Sequence, residues 1–142
     1  MIVIFDLDGT LANIDHRKHF VESKNPQWLK CYQACVNDTP NEVVIKMFNL
    51  LRDDGNTMVI FSGRGEEVRK ETYQWLRKHG VKPDILLMRP EGDHTSDNDL
   101  KRKWLKIINK KDILCVFDDR NKVVKMWRDE GLTCFQVAEG NF

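Results

Sequence analysis

The chain is 142 residues long with a net charge of +1, a size that fits one domain with a core of its own and no disulfide or metal staple. The near balance of charge gives no sign of a nucleic-acid partner held by bulk positive charge, although bases outnumber acids after residue 60 and make that part the better side for an anionic ligand. No run approaches the ~18 apolar residues of a membrane helix and no apolar run of signal length follows a basic start, so neither a membrane span nor a secretory signal is expected.

The first element is Ile2-Val3-Ile4-Phe5, apolar at successive positions as in the centre of a parallel sheet, running into Asp6-Leu7-Asp8-Gly9-Thr10. Asp15 to Glu22 is polar. Asn25-Pro26 predicts a helix start with Pro26 at the first helical position, and Trp28, Leu29, Tyr32, Cys35 and Val36 follow at helical spacing. The insert, about 12–40, is too long for one crossover helix and is expected to hold two or three short ones beside the sheet end. Thr39-Pro40-Asn41-Glu42 opens a further helix with a stripe of Val43, Val44, Met47, Phe48, Leu50 and Leu51, ended by Asp54-Gly55.

Met58-Val59-Ile60-Phe61 is a second buried strand, ending in Ser62-Gly63-Arg64-Gly65. A helix over 66–79 follows, with Val68, Thr72, Trp75 and Leu76 on one face and Gly80 as its stop. Ile85–Met88 is a third strand, Arg89 to Asp97 a polar loop, and 97–109 a helix with Leu100, Trp104, Leu105 and Ile108 inward. Ile113–Phe117 is a fourth strand ending in Asp118-Asp119-Arg120, followed by a helix over 121–130 and a last strand, Thr133–Val137. Alternation of strand and helix predicts an α/β fold, Rossmann-like, with a mostly parallel sheet and right-handed crossovers.

In such a sheet the strand ends share one edge, where ligands collect. Asp6 and Asp8, then Ser62, Gly63 and Arg64, then Lys101, then Asp118 and Asp119 are all delivered there. Carboxylates in close quarters repel unless a cation neutralises them, and an all-oxygen set suits Mg²⁺. A hydroxyl, a glycine-flanked N–H and cationic side chains beside them suit a phosphate.

This order of four motifs resembles the haloacid dehalogenase (HAD) phosphatase superfamily. The closer resemblance is to the 3′-phosphatase domains of polynucleotide kinase/phosphatases of the T-even bacteriophage type. It is carried by Phe5 to Ala12, Arg17, Ser62-Gly63-Arg64, Gly92-Asp93, Asp97, Lys101, Phe117 to Arg120, Val123 to Arg128 and Cys134 to Ala138. It covers nearly the whole chain and is least clear over 18–40.

The resemblance, together with the chemistry of the side chains, implies roles. Asp6 would be the nucleophile and Asp8 the acid and then the base. Asp6, the Asp8 backbone carbonyl and Asp118 would hold Mg²⁺, with Asp119 orienting Lys101 or a metal-bound water. Ser62, Gly63 N–H and Lys101 would hold the transferring phosphoryl oxygens, with Thr10 of the first motif beside them. Arg17, Arg64 and Asp97 are carried over as substrate-binding residues, the two arginines as a clamp on the terminal phosphate.

The implied substrate is a nucleic-acid 3′-phosphate end. The alternative is a nucleotide, cleaved by a nucleoside monophosphate phosphatase of the same superfamily. A signalling receiver domain also gathers acids, a hydroxyl and a lysine, but it lacks an acid two residues beyond its phosphorylated aspartate. No G-x-x-x-x-G-K-[ST] occurs, so a single phosphatase domain without kinase activity is expected, with a separate kinase or ligase as partner. Cys31, Cys35, Cys115 and Cys134 lack C-x-x-C spacing and predict reduced thiols in a cytoplasmic protein. Two pairs, Cys31/Cys35 and His16/His19, have spacings a zinc ion accepts, although core cysteines and surface histidines share those spacings. Trp28 and Tyr32 suit either the packing of the insert or a base at the pocket mouth.

Overall fold

The computed structural model describes residues 1–142. Five parallel strands form the sheet: β1 (Ile2–Phe5), β4 (Thr57–Gly65), β5 (Ile85–Arg89), β6 (Ile113–Asp118) and β7 (Cys134–Gln136). Their order is β5-β4-β1-β6-β7, with β1 paired to β4 through Ile2↔Thr57 and to β6 through Phe5↔Phe117. From β1 the chain moves outward to β4 and β5, then crosses back to β6 and outward to β7. The direction reverses between β1 and β6, and a crevice opens at the carboxyl ends of strands at such a reversal.

The strands carry apolar side chains on both faces because both faces are covered. Val3, Phe5, Met58, Ile60, Leu86 and Phe117 pack against α2 (Glu42–Asp53) and α3 (Arg69–Lys78). Ile4, Val59, Phe61 and Val116 pack against α4 (Asp97–Leu105) and α5 (Asn121–Asp129). Aromatic rings fill both layers: Phe5 stacks on Phe117 at 4.4 Å between centroids, and Phe61 meets Trp104 edge-on at 5.4 Å. No helix is long and apolar enough to cross a membrane.

The insert holds a 3-10 turn at Asp15–Phe20, α1 (Trp28–Gln33) and a second 3-10 turn at Ala34–Asn37. Its ends are tied by β2 (Ala12–Asn13) and β3 (Thr39–Pro40), which pair antiparallel. Several boundaries differ from the sequence reading; the expected 97–109 helix, for one, ends at Leu105. Helix α1 begins at Trp28 rather than Pro26, because Gln27 N–H is drawn back to Phe20 O at 2.7 Å and the first helical bond is Cys31 N–H to Gln27 O. Thr39-Pro40 is extended, paired to the insert's first strand, so α2 starts at Glu42. The 66–79 helix opens as a 3-10 turn over Glu66–Val68. The apolar stripe of α2 is also wider than its buried face. Val44, Ile45 and Phe48 are buried and Leu51 partly so, whereas Val43, Met47 and Leu50 stay exposed, because the sheet covers only one side of the helix.

Candidate active site

β1 ends by handing its chain to Asp6, whose N–H continues the ladder to Phe117 O at 2.9 Å. β6, next to it, ends at Asp118. The two acids therefore stand side by side at the reversal point, and Asp119 follows. Asp6, Asp118 and Asp119 are all buried, with one carboxylate oxygen from each lying within 4.8 Å of the others. Lys101, delivered from the second turn of α4, donates to Asp6 Oδ1 at 2.7 Å and to Asp118 Oδ2 at 2.9 Å. Trp127 Nε1 also donates to Asp118 Oδ2, at 3.1 Å, and the Asp119 N–H to Asp118 Oδ1 at 2.9 Å, so Asp118 is fixed from three sides.

Three carboxylates against one ammonium leave the cluster negative. Burial and the neighbouring Asp118 push the Asp6 carboxyl well above its ordinary range, against the pull of Lys101. Burial and Asp118 likewise push Asp119 up to about 6. Burial would lower the Lys101 ammonium, but the facing charges of Asp118 and Asp6 overcome it and hold the group above the usual lysine range. Gly9 makes room for this packing. It sits at φ +83°, and a Cβ there would fall 2.1 Å from Asp119 Oδ2. The Thr10 hydroxyl is buried beneath, 3.0 Å from Asp6 Oδ2 and 3.4 Å from Asp119 Oδ1.

Asp8 faces elsewhere. Its Oδ1 accepts from Arg17 Nη2 at 2.7 Å and from Arg64 Nε at 2.8 Å. Burial works to raise this carboxyl, but the charges of Arg64 and Arg17 win and lower it to about 2. Both arginines are buried and share a second carboxylate, Asp38. Arg17 Nε and Nη2 each donate to it at 2.8 Å, as does Arg64 Nη2. His16 Nε2 lies 2.6 Å from Asp38 Oδ1, and Trp75 Nε1 donates to the Asp38 carbonyl at 2.8 Å. Sequence reading missed Asp38, which sits in the insert with no motif around it. The arginines face Asp8 and Asp38 here instead of standing free as a clamp on a phosphate.

Asp97, the first residue of α4, joins the remaining wall. Its two oxygens accept from Arg89 Nη2 at 2.5 Å and Arg120 Nη1 at 2.7 Å. Gly63 lines the cavity; its carbonyl accepts from Arg89 Nε at 2.9 Å and Tyr32 Oη at 3.3 Å. A Cβ at Gly63 would approach Asp97 Oδ1 to 2.7 Å. Ser62 is buried with its Oγ accepting the Arg64 N–H at 3.2 Å, and neither Ser62 nor Thr10 lines the open cavity. The cavity has a volume of about 900 Å³, with Asp6, Asp8, Lys101, Asp118 and Asp119 at its base.

The donor set fits Mg²⁺. Asp6, Asp118 and Asp119 are hard oxygen donors within reach of one ion, and their mutual repulsion is what a divalent cation relieves. The cysteine and histidine pairs do not form such a set. All four cysteines are buried and free; Arg17 Nη1 lies 3.5 Å from Cys31 Sγ, His16 is engaged with Asp38, and His19 packs on Phe20 at 4.1 Å.

Comparison with known proteins agrees with this geometry. The sequence model of the family described as the polynucleotide kinase PNKP phosphatase domain matches residues 1–142. The chain is 32% identical over 141 residues to a putative bifunctional polynucleotide kinase/RNA ligase of Autographa californica nuclear polyhedrosis virus, covering 96% of this chain and 19% of that protein. Among solved structures it is similar to a chain of the Pnkp1/Rnl/Hen1 RNA repair complex, with a TM-score of 0.86, 32% identity, and coverage of 99% of this chain and 43% of that one. A second structure of the Pnkp1/Rnl/Hen1 complex gives a TM-score of 0.85 at 33% identity, covering 99% of this chain and 47% of that one. The chain thus spans less than half the length of these relatives. With the whole of the chain matched and the four motifs gathered at one sheet edge, it belongs to the PNKP phosphatase-domain family and is an HAD-type phosphatase.

Proposed function

We propose that the protein removes 3′-phosphates from nucleic-acid ends through an aspartyl-phosphate on Asp6, with Mg²⁺ as cofactor. The observation that carries the reading is Asp6 itself: a carboxylate at the reversal point, flanked by Lys101 and two further acids, with a second carboxylate, Asp8, in the same cavity. The polynucleotide kinases among its relatives favour a nucleic-acid end as substrate.

In the first step an Asp6 oxygen attacks phosphorus and the bond from phosphorus to the 3′ oxygen breaks, the leaving oxygen taking a proton from Asp8. In the second, Asp8 takes a proton from water, the water oxygen attacks phosphorus, and phosphate leaves with Asp6 restored. Lys101 and the Gly63 N–H hold the transferring oxygens. Mg²⁺, held by Asp6, Asp118 and Asp119, would neutralise the acids so that an anionic phosphate can meet an anionic nucleophile. Asp97 holds Arg89 and Arg120 in the cavity lining.

Asp8 poses a proton question. The charges of Arg64 and Arg17 lower its carboxyl to about 2 and favour the carboxylate in the free enzyme, and a substrate monoanion can supply its first proton. A phosphate monoester loses its second proton near pH ~6. Transfer of that proton through Asp8 makes kcat/KM on a sugar phosphate fall about tenfold per pH unit above ~6, as the monoanion disappears. On p-nitrophenyl phosphate, whose leaving group needs no proton, the profile stays flat over the same range. Asp8→Asn slows the sugar phosphate more than the nitrophenyl ester. Equal slopes and equal losses on both esters contradict the acid role.

Chelation stops the reaction and Mg²⁺ restores it. Asp118→Ala raises the Mg²⁺ concentration for half-maximal rate by roughly tenfold or more, or removes activity. Full turnover in excess chelator contradicts the metal-dependent mechanism.

A substrate panel tests the proposal as a whole: matched oligonucleotides with 3′ or 5′ phosphate, 3′ and 5′ mononucleotides, and p-nitrophenyl phosphate, each with and without Mg²⁺. The expected order places 3′-phosphorylated oligonucleotides first, with little base preference. A kcat/KM highest for a 5′-mononucleotide, with 3′-phosphorylated oligonucleotides no better than the nitrophenyl ester, identifies a nucleotidase instead.

A further inference from the structure

Of the four tryptophans, Trp75, Trp104 and Trp127 are buried, while Trp28 is 51% exposed and lines the same cavity as Asp6 and Lys101. It is not a stray surface residue. Leu29 beside it is 54% exposed, and Ile14 and Val21 of the same insert also line the cavity, so the insert brings a cluster of apolar side chains there beside its charged Arg17, Lys18 and Glu22. The insert is also tied to the sheet. Tyr32, one turn along α1 from Trp28 with ring centroids 6.1 Å apart, donates its hydroxyl to Gly63 O, the residue after Ser62. Trp28 thus offers a flat, half-exposed apolar face in the cavity that would hold a phosphate ester at Asp6, on a helix bonded to Gly63.

We propose that Trp28 is the stacking platform for a nucleobase at the phosphorylated end of the strand. This deepens the 3′-phosphatase reading and rests on it. A glycerol ester has no ring to lay on the indole, whereas every nucleobase has a π-face that stacks without regard to sequence. The platform thus discriminates a nucleotide end from other phosphate esters, yet shows little base preference. Leu29 supplies apolar contact at its edge, and the Tyr32 hydroxyl ties the helix to the Gly63 carbonyl.

Two measurements test this. The first compares wild type, Trp28→Phe, Trp28→Leu and Trp28→Ala on a 3′-phosphorylated oligonucleotide and on the same strand with an abasic residue at its 3′ end, using glycerol phosphate as a base-free control. The expected result is a KM for the normal strand raised roughly 5- to 150-fold in Trp28→Ala and Trp28→Leu, with kcat changed far less. Trp28→Phe keeps most of the affinity, and all four proteins behave alike on the abasic strand and on glycerol phosphate. A loss of equal size on normal and abasic strands, or no change in KM, overturns the proposal.

The second is binding without turnover: the 3′-phosphorylated oligonucleotide titrated into Asp6→Asn, with tryptophan fluorescence followed. Quenching should appear with Trp28 present, vanish when Trp28→Phe is added, and be absent with the abasic strand. Because this arm needs no catalysis, it separates the two readings. Quenching without any phosphatase activity in the wild type means the catalytic reading has failed and the platform stands, whereas turnover without quenching means the reverse.

Discussion

Asp6→Asn is expected to lose activity by on the order of 10³-fold or more, because it removes the group that attacks phosphorus and so the covalent route itself. The amide is nearly isosteric, and the substitution relieves like-charge repulsion with Asp118 and Asp119 rather than creating a void. Lys101 keeps its bond to Asp118. The variant should therefore fold as the wild type does, with a midpoint in denaturant no lower. Steady-state rates on a 3′-phosphorylated oligonucleotide, paired with an unfolding curve, give both halves of the result. A tenth of wild-type activity retained, or a collapsed fold, contradicts the assignment.

Asp38→Ala is expected to have the largest effect on stability. Asp38 is buried and accepts from Arg17 and Arg64, which are themselves buried. Removing one partner from such a set leaves two guanidinium groups with Asp8 as their only carboxylate, and breaking a buried pair costs roughly 3–5 kcal/mol. The same loss frees the arginines to turn, so Asp8 is no longer held at the cavity wall and kcat falls with stability. Asp38→Asn keeps one acceptor oxygen but turns the other into an amide donor facing a guanidinium, and should fall between. Equilibrium unfolding read by circular dichroism checks this. A change under ~0.5 kcal/mol, within the range of an ordinary surface substitution, contradicts the role given to Asp38. The pairing also has a pH signature. The Asp8 carboxyl is lowered on folding to about 2, so its contribution to stability is present above the unfolded value near ~3.9 and is lost as pH falls toward 2.

The sheet was legible because a strand buried on both faces is an unbroken apolar run, and Ile2–Phe5, Met58–Phe61 and Ile113–Phe117 are such runs. Once those strands are taken as parallel, their acid-bearing ends must meet, and the structure brings Asp6, Asp118 and Asp119 together there with Lys101 of α4. The insert was less legible. Its segments are short, and a two-residue ladder such as β2–β3 leaves no periodicity to read. Arg17 and Arg64 were visible as cations, but a sequence does not say which anion a guanidinium faces. That depended on Asp38, an acid contributed from the far end of the insert. The stripe on α2 misled in the opposite direction, since apolar spacing marks which residues share a face and not how much of that face the sheet covers.

The central claim is that phosphate passes from a 3′ end onto Asp6. A rapid acid quench of the enzyme with an oligonucleotide radiolabelled in its 3′-phosphate tests this directly, with the same strand labelled at the 5′ end as control. The account predicts protein-bound label, sensitive to hydroxylamine as an acyl phosphate should be, that maps to the peptide holding Asp6. It further predicts that the label is absent in Asp6→Asn, in excess chelator and with the 5′-labelled strand. Release of labelled phosphate with no label ever on the protein, or label that persists in Asp6→Asn, would contradict it.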